Sequence, residues 1–111
     1  MSPGDFEAYV TGKTLYYGAP GQEPYGAEQY FNDRRVRWSF LDGECKEGQW
    51  YVDADLICFV YEDMGDPQCW SFFMTDRGLR AQFENDPNNT TLYEVDESSG
   101  PLQCLGPEVG V

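Results

Sequence analysis

Carboxylates and cysteines are the residues of this chain that could perform chemistry, because it contains no histidine. The absence of an imidazole excludes a Ser-His-Asp arrangement, a cysteine nucleophile with its usual base, and every histidine metal ligand. Acidic residues are plentiful, and two carboxylates about 5 to 9 Å apart are all that a glycosidase requires. Here the acids cluster at predicted turns, where they favour solubility and chain reversal. We therefore expect no catalytic residue, no metal site and no cofactor.

The four cysteines are Cys45, Cys58, Cys69 and Cys104, and no two of them form a CxxC pair. An even number of cysteines in a short chain without metal-type spacing predicts two disulfides in an oxidising compartment. The alternatives are four reduced cysteines in a cytosolic protein, or a zinc site. Four cysteines allow three pairings. We favour a cross-strand Cys58–Cys69 bond and a Cys45–Cys104 bond that ties the tail to the sheet.

The charge balance limits the partners: twenty acidic and seven basic residues give a net charge of -13. Such a field repels polyanions, so nucleic acid is not an expected partner. No apolar run approaches the roughly 18 residues that a membrane span needs. The first five residues lack the features of a signal peptide. If the disulfide interpretation holds, this is the mature form of a periplasmic or secreted protein; a cytoplasmic protein is the alternative.

At 111 residues the chain has room for a single domain, residues 1–111. A capping serine, a proline and an acid predict a short helix over residues 2–11. Residues 13–105 then show turn residues every eight to twelve positions, with aromatic and β-branched runs between them, and residues 106–111 form a tail. We predict an all-β antiparallel meander, curved into a small barrel or half-barrel. Its strands are Thr14–Tyr17, Ala27–Phe31, Arg35–Leu41, Gln49–Val52, Leu56–Tyr61, Cys69–Thr75, Leu79–Phe83, Thr91–Val95 and a short Leu102–Leu105.

The middle strands carry apolar side chains on both faces. A turn centred near Ala54 would place Trp50 opposite Cys58, and the next turn would place Cys58 opposite Cys69. The other set of side chains is also apolar, so it needs cover from the helix and tail, a homodimer partner or a ligand. We treat this set as the candidate ligand-binding or interface residues: Tyr51, Ile57, Phe59, Tyr61, Trp70, Phe72 and Met74.

The long segment between the first two strands, residues 18–26, contains two prolines and three glycines. It predicts a loop that is either a lid or an irregular edge.

Two resemblances can be drawn. The motifs Thr11-Gly12-Lys13-Thr14-Leu15, Tyr25-Gly26 to Tyr30-Phe31, Val36-Arg37-Trp38, Asp42-Gly43-Glu44-Cys45, Gly48-Gln49-Trp50, Ile57-Cys58-Phe59 and Gln68-Cys69-Trp70 resemble small uncharacterised exported β-sheet proteins of proteobacteria. That resemblance implies export. No activity is established for those proteins, so it assigns no functional residue. Gly48-Gln49-Trp50 is also similar to the Gly-x-Trp signature of lipocalin- and avidin-like barrels, although here it lies mid-chain rather than in the first strand.

These observations favour a non-catalytic exported β-domain that binds a small apolar ligand or a protein partner. One alternative is an acidic inhibitor of a cationic secreted enzyme, which would approach its target by electrostatic steering. The other is a carboxylate-dependent hydrolase.

Overall fold

The computed structural model describes residues 1–62, 65–85, 88 and 90–104 of the chain. The predicted tail, residues 106–111, and the last residue of the predicted ninth strand, Leu105, lie outside the described residues. The same holds for residues 63, 64, 86, 87 and 89.

The predicted helix is present as α1 (Pro3–Val10). Its N-cap is Ser2, whose hydroxyl accepts a hydrogen bond from the Asp5 amide at 3.1 Å, and Pro3 stands at the first helical position. Proline is favoured there because its missing N–H would have no partner within the helix. Gly12 follows with a positive φ of 86°, which turns the chain into the first strand.

The eight strands form a closed antiparallel barrel in simple sequence order. Each strand therefore pairs with the next, and the last pairs with the first. The prediction of an antiparallel meander curved into a barrel is confirmed. A short 3-10 segment, Asn32–Arg34, connects the second strand to the third. The strands are β1 (Thr14–Gly18), β2 (Gly26–Tyr30), β3 (Arg35–Ser39), β4 (Lys46–Asp53), β5 (Leu56–Tyr61), β6 (Gln68–Thr75), β7 (Gly78–Phe83) and β8 (Thr91–Ser98).

The register of β4 against β5 differs from the predicted one. Trp50 pairs with Phe59, and Tyr51 pairs with Cys58. The cause is a two-residue turn at Ala54 and Asp55, in which Ala54 takes a positive φ of 53°. The predicted turn centre was wrong by half a residue. The predicted pairing of β4 with β5 was therefore wrong by one residue, and it grouped the β4 side chains with the wrong face of β5. The predicted pairing of Cys58 with Cys69 is confirmed.

The predicted ninth strand is wrong, because residues 102–104 have no regular secondary structure. They belong instead to a segment that leaves β8 and crosses the outside of the barrel. The Gly100 carbonyl accepts a hydrogen bond from the Thr14 hydroxyl, and the Leu102 amide donates to Gln29. Leu102 is buried. Its partner Gln29 shares the outer face of β2 with Ala27, which is also buried.

Two disulfides join the pairs that the sequence favoured, Cys45–Cys104 and Cys58–Cys69. The first fixes the crossing segment to the start of β4, and the second joins β5 to β6. Disulfides of this kind are typical of proteins from an oxidising compartment.

Helix α1 closes one end of the barrel. Phe6 contacts the rings of Tyr30, Trp50 and Phe72, with centroids 5.9, 5.2 and 4.4 Å away. These rings come from β2, β4 and β6, so Phe6 lies across the barrel axis. We call this cluster the plug. Helix α1 is also held by Tyr9, whose hydroxyl donates to Glu94 of β8 at 2.9 Å.

Stability should therefore depend on the plug and the inner wall rather than on the acidic turns. Replacing Trp50 or Phe59 with alanine should lower the free energy of unfolding by about 3 to 5 kcal/mol, since both rings are almost fully buried. Replacing the exposed Asp53 with asparagine should change it by less than about 0.5 kcal/mol. Urea denaturation measures all three variants, and a larger loss in the Asp53 variant would contradict this assignment of the core.

Candidate functional site

A cavity of about 690 Å³ occupies the half of the barrel opposite the plug. The plug lies at the end where β1 begins and β2 ends, whereas the cavity is lined by residues where β1 ends and β2 begins. Gly18 lines it from the end of β1, Gln22 and Tyr25 line it from the loop that follows, and Thr91 lines it from the start of β8. The barrel is therefore filled at one end and hollow at the other, which is the form of a pocket rather than a channel.

The wall of the cavity is mainly aromatic. Small-molecule sites in proteins are concave, largely apolar and supplied with a few polar groups that orient the ligand, and this cavity has those properties. Its aromatic lining residues are Tyr17, Tyr25, Tyr30, Trp38, Phe40, Phe59, Tyr61, Trp70, Phe72 and Phe83.

Three aromatic rings meet at the mouth. Tyr25 and Phe40 are exposed, and both rings contact Trp38, with centroids 6.2 and 5.4 Å away. The Tyr25 amide donates to the Tyr17 carbonyl at 2.7 Å, which holds the end of the 18–26 loop against β1. We call Tyr25, Trp38 and Phe40 the mouth cluster. The loop whose role the sequence left open thus forms part of the cavity rim.

The most unusual group in the cavity is the carboxyl of Glu28, which points inward from β2. Only 3% of the residue is exposed. The hydroxyl of Tyr61 on β5 lies 2.9 and 3.0 Å from its two oxygens. Burial raises the pKa of Glu28 from its ordinary value of 4.5 to about 8, against the lowering effect of the Tyr61 hydrogen bond. A carboxyl placed in this way is neutral at pH 7 in the unoccupied cavity and can be ionised by a suitable cation.

A second buried polar pair lies beside Glu28. The hydroxyls of Tyr17 and Tyr30 are 2.8 Å apart, and both residues are buried. Burial is the largest cause that raises the pKa of Tyr17, Tyr30 and Tyr61 well above the usual tyrosine value. These phenols stay protonated and act as hydrogen-bonding groups, not as bases.

Two glycines make room for the aromatic rings of the site. A Cβ atom on Gly48 would collide with the Tyr61 ring and the Val60 carbonyl, and one on Gly26 would collide with the Trp38 indole. Gly48 pairs directly with Tyr61 across β4 and β5. The missing side chains therefore let Tyr61 and Trp38 lie flat against the barrel wall, in reach of Glu28 and the mouth respectively.

The seven predicted binding residues divide into two groups. Phe59, Tyr61, Trp70 and Phe72 line the cavity, and Ile57 lies on the same inner face nearer the plug. Tyr51 lies on the outer face opposite Cys58 and is exposed, because the observed β4–β5 register differs by one residue from the predicted one. Met74 lies near the far end of β6, opposite Leu79, and is 49% exposed.

Sequence reasoning missed Glu28, Tyr17, Tyr30 and the mouth cluster. One signal was available: Glu28 and Tyr30 share a strand face, and an acid in an otherwise apolar set is unusual. The opposite face of β2 carries Ala27 and Gln29, which gave no indication of which face was the inner one. Only closure of the sheet distinguishes the two faces.

Comparison with models of protein families, with curated proteins and with solved structures finds no match to this chain. Within the described residues, no group of three or more histidine, cysteine or acidic side chains is arranged to hold a metal ion. The described part of the chain also contains no helix long and apolar enough to span a membrane.

The buried Glu28 should make the unoccupied protein less stable as the pH rises. The unfolded chain loses this proton near pH 4.5, whereas the folded protein keeps it to about pH 8. The contribution of neutral Glu28 to stability is therefore fully present below pH 4.5 and is lost as the pH rises to 8. At about 1.4 kcal/mol per pH unit between these values, the loss is on the order of 5 kcal/mol.

Urea denaturation at pH 5 and pH 8 tests this effect in the Glu28→Gln variant, which cannot ionise at this position. The free energy of unfolding of this variant, relative to that of the wild type, should be larger at pH 8 than at pH 5. Glu23→Gln, which alters an exposed acid at the rim of the same cavity, is the matched control and should follow the wild type. Parallel curves for the wild type and Glu28→Gln would contradict the prediction.

Proposed function

We propose that this protein is a non-catalytic binding domain that carries a small, largely apolar ligand inside its barrel. The observation that supports it best is the cavity of about 690 Å³, closed at one end by the plug and lined by aromatic rings. Cavities of about 300 to 1,000 Å³ are the size of typical small-molecule sites. A barrel filled at one end favours storage or transport of a ligand over passage through the barrel.

The internal position of five of the seven predicted binding residues favours a ligand over a protein partner. The sequence left open whether these rings are covered by the chain itself, by a second subunit or by a ligand. In the barrel, Phe59 and Phe72 are almost fully buried without any partner. The remaining lining faces the hollow, where a protein surface could not reach it but a small molecule could.

We further propose that the domain works after export, in the periplasm or outside the cell. Its two disulfides support an oxidising compartment. A carrier in this setting would take up ligand from a dilute solution, and the aromatic wall would supply most of the binding free energy through removal of apolar surface from water. The enzyme inhibitor and the carboxylate-dependent hydrolase stay as predictions that no observation in the fold favours.

A neutral apolar dye tests this function. N-phenyl-1-naphthylamine becomes fluorescent in apolar surroundings, and its fluorescence should rise and saturate on titration with the wild-type protein. Ala81→Trp should weaken binding at least about tenfold, because Ala81 is buried and lines the cavity, so an indole there fills the space the dye needs.

Gln82→Trp provides the matched control for this titration. Gln82 is the next residue of β7 and faces outward by alternation, so this variant should bind the dye as the wild type does. A wild-type protein that gives no saturable signal, or an Ala81→Trp variant that binds as well as Gln82→Trp, would overturn the proposed function.

A further inference from the structure

We propose that the ligand is a small lipophilic amine, whose protonated nitrogen pairs with Glu28 while its apolar body lies among the aromatic rings of the cavity. This inference rests on the proposed function and specifies the chemical class of the ligand. It is argued from four properties of the cavity: the hydrogen-bonding capacity of Glu28, the rings around it, the signs of the charges and the balance of protons.

Glu28 has more hydrogen-bonding capacity than the described residues use. An ionised carboxylate accepts about four hydrogen bonds. Among the described side chains, Tyr61 supplies the hydrogen bond to Glu28, and a hydroxyl has a single hydrogen to share between the two oxygens. The buried carboxyl therefore has acceptor sites that face the hollow, and an ammonium group carries three N–H donors that match them.

The rings near Glu28 also favour a cation. Trp38 pairs directly with Glu28 across β2 and β3, and the rings of Tyr30 and Tyr61 line the same part of the cavity. The faces of aromatic rings carry partial negative charge and attract cations, most strongly where water is excluded. An ammonium group beside Glu28 would thus lie among groups of favourable polarity, whereas a carboxylate ligand would lie against ring faces of its own sign.

The distribution of charge points in the same direction. None of the described residues that line the cavity is basic, and two of them, Glu23 at the rim and Glu28 inside, are acidic. The whole chain has a net charge of -13. A field of this sign raises the local concentration of cations and lowers that of anions, which increases the rate at which a cationic ligand reaches the mouth.

Pairing with an amine has a defined proton balance. In the unoccupied protein at neutral pH, Glu28 carries a proton, because burial raises its pKa to about 8. Arrival of a protonated amine favours the carboxylate, so one proton leaves Glu28 for the solvent and the ion pair remains. The other titratable groups that face Glu28 are Tyr17 of β1, Tyr30 of β2 and Tyr61 of β5, and these phenols stay neutral throughout.

The lining residues from the other strands do not alter that balance. Trp38 of β3, Gln68 of β6, Ala81 of β7 and Leu92 of β8 carry no titratable group, and Glu23 lies at the rim. Release of about one proton on binding is therefore assigned to Glu28, and it distinguishes an ion pair from simple burial of an apolar molecule.

Isothermal titration calorimetry with three matched probes tests the inference at pH 7 and low salt. The probes are 2-(1-naphthyl)ethylamine, 2-(1-naphthyl)ethanol and 1-naphthylacetate, which share an aromatic body and differ in the charge of the head group. We expect the amine to bind at least about tenfold more tightly than the alcohol, and the acetate to bind more weakly than either. Titration in two buffers of different ionisation enthalpy should show release of about one proton for the amine alone.

Two glutamine variants test whether Glu28 causes the preference for the amine. Glu28→Gln keeps the shape of the side chain but cannot ionise, so it should bind the amine within about threefold of the alcohol and release no proton. Glu23→Gln should keep most of the wild-type preference. If Glu28→Gln fails to fold, the proton release of the wild-type protein tests the inference by itself. Binding of the amine with no proton release would overturn the inference.

The possible failures can be told apart. Equal affinity for the amine and the alcohol, or tighter binding of the acetate, would overturn the amine inference while the carrier function stands. An amine preference that is unchanged in Glu28→Gln would do the same. No binding of any naphthyl probe, together with no signal from the neutral dye, would overturn the proposed function itself.

Discussion

The pairing of β1 with β8 is the interaction on which the rest of the molecule depends, because it turns a meander into a closed barrel. The two strands pair from Thr14 with Ser98 to Gly18 with Tyr93, and the register shifts between Tyr16 and Tyr17. Without this pairing the sheet would have two free edges and an exposed aromatic face, both of which promote association. With it, one apolar face lines an interior and the other needs only partial cover.

Several other contacts act on the same junction. Glu94 of β8 accepts the hydrogen bond from Tyr9 of the helix and another from the Leu79 amide of β7, so the helix and two strands meet at one carboxylate. The segment after β8 then crosses the outside of the barrel and is fixed by the Cys45–Cys104 disulfide. These contacts hold the barrel closed where its first and last strands meet.

If the hollow half binds a ligand as we propose, it does so at a cost in stability. Burial of an ionisable carboxyl among aromatic rings costs free energy unless the group is neutral or paired, and a filled core would avoid that cost. The barrel instead keeps Glu28 inside, with Gly48 leaving space for its partner Tyr61. A polar group that weakens the empty protein and would strengthen the occupied one is what a binding site requires, and strain of this kind concentrates at functional sites.

The sequence predicted the helix, the eight strands, the order of the meander and the cross-strand Cys58–Cys69 bond, because these depend on local turn chemistry and on alternation. The Cys45–Cys104 bond was then the remaining pair. The ninth predicted strand is absent, because residues 102–104 cross the barrel instead of pairing within the sheet. It did not predict the β4 register, since nothing local shows that Ala54 adopts a left-handed conformation in a two-residue turn. It also missed Glu28 as a site residue. Which face of β2 is internal is decided by the closure of β1 against β8, a contact between opposite ends of the chain.

The most direct test of this account is the ionisation of Glu28 itself, followed by carbon-13 NMR of its side-chain carboxyl as the pH is varied. In the unoccupied protein the midpoint should lie at about 8. With a saturating lipophilic amine it should fall by more than about one pH unit, because a nearby cation favours the carboxylate. A midpoint near 4.5 in the unoccupied protein, unchanged by the amine, would contradict both the buried position of this carboxyl and its role in binding.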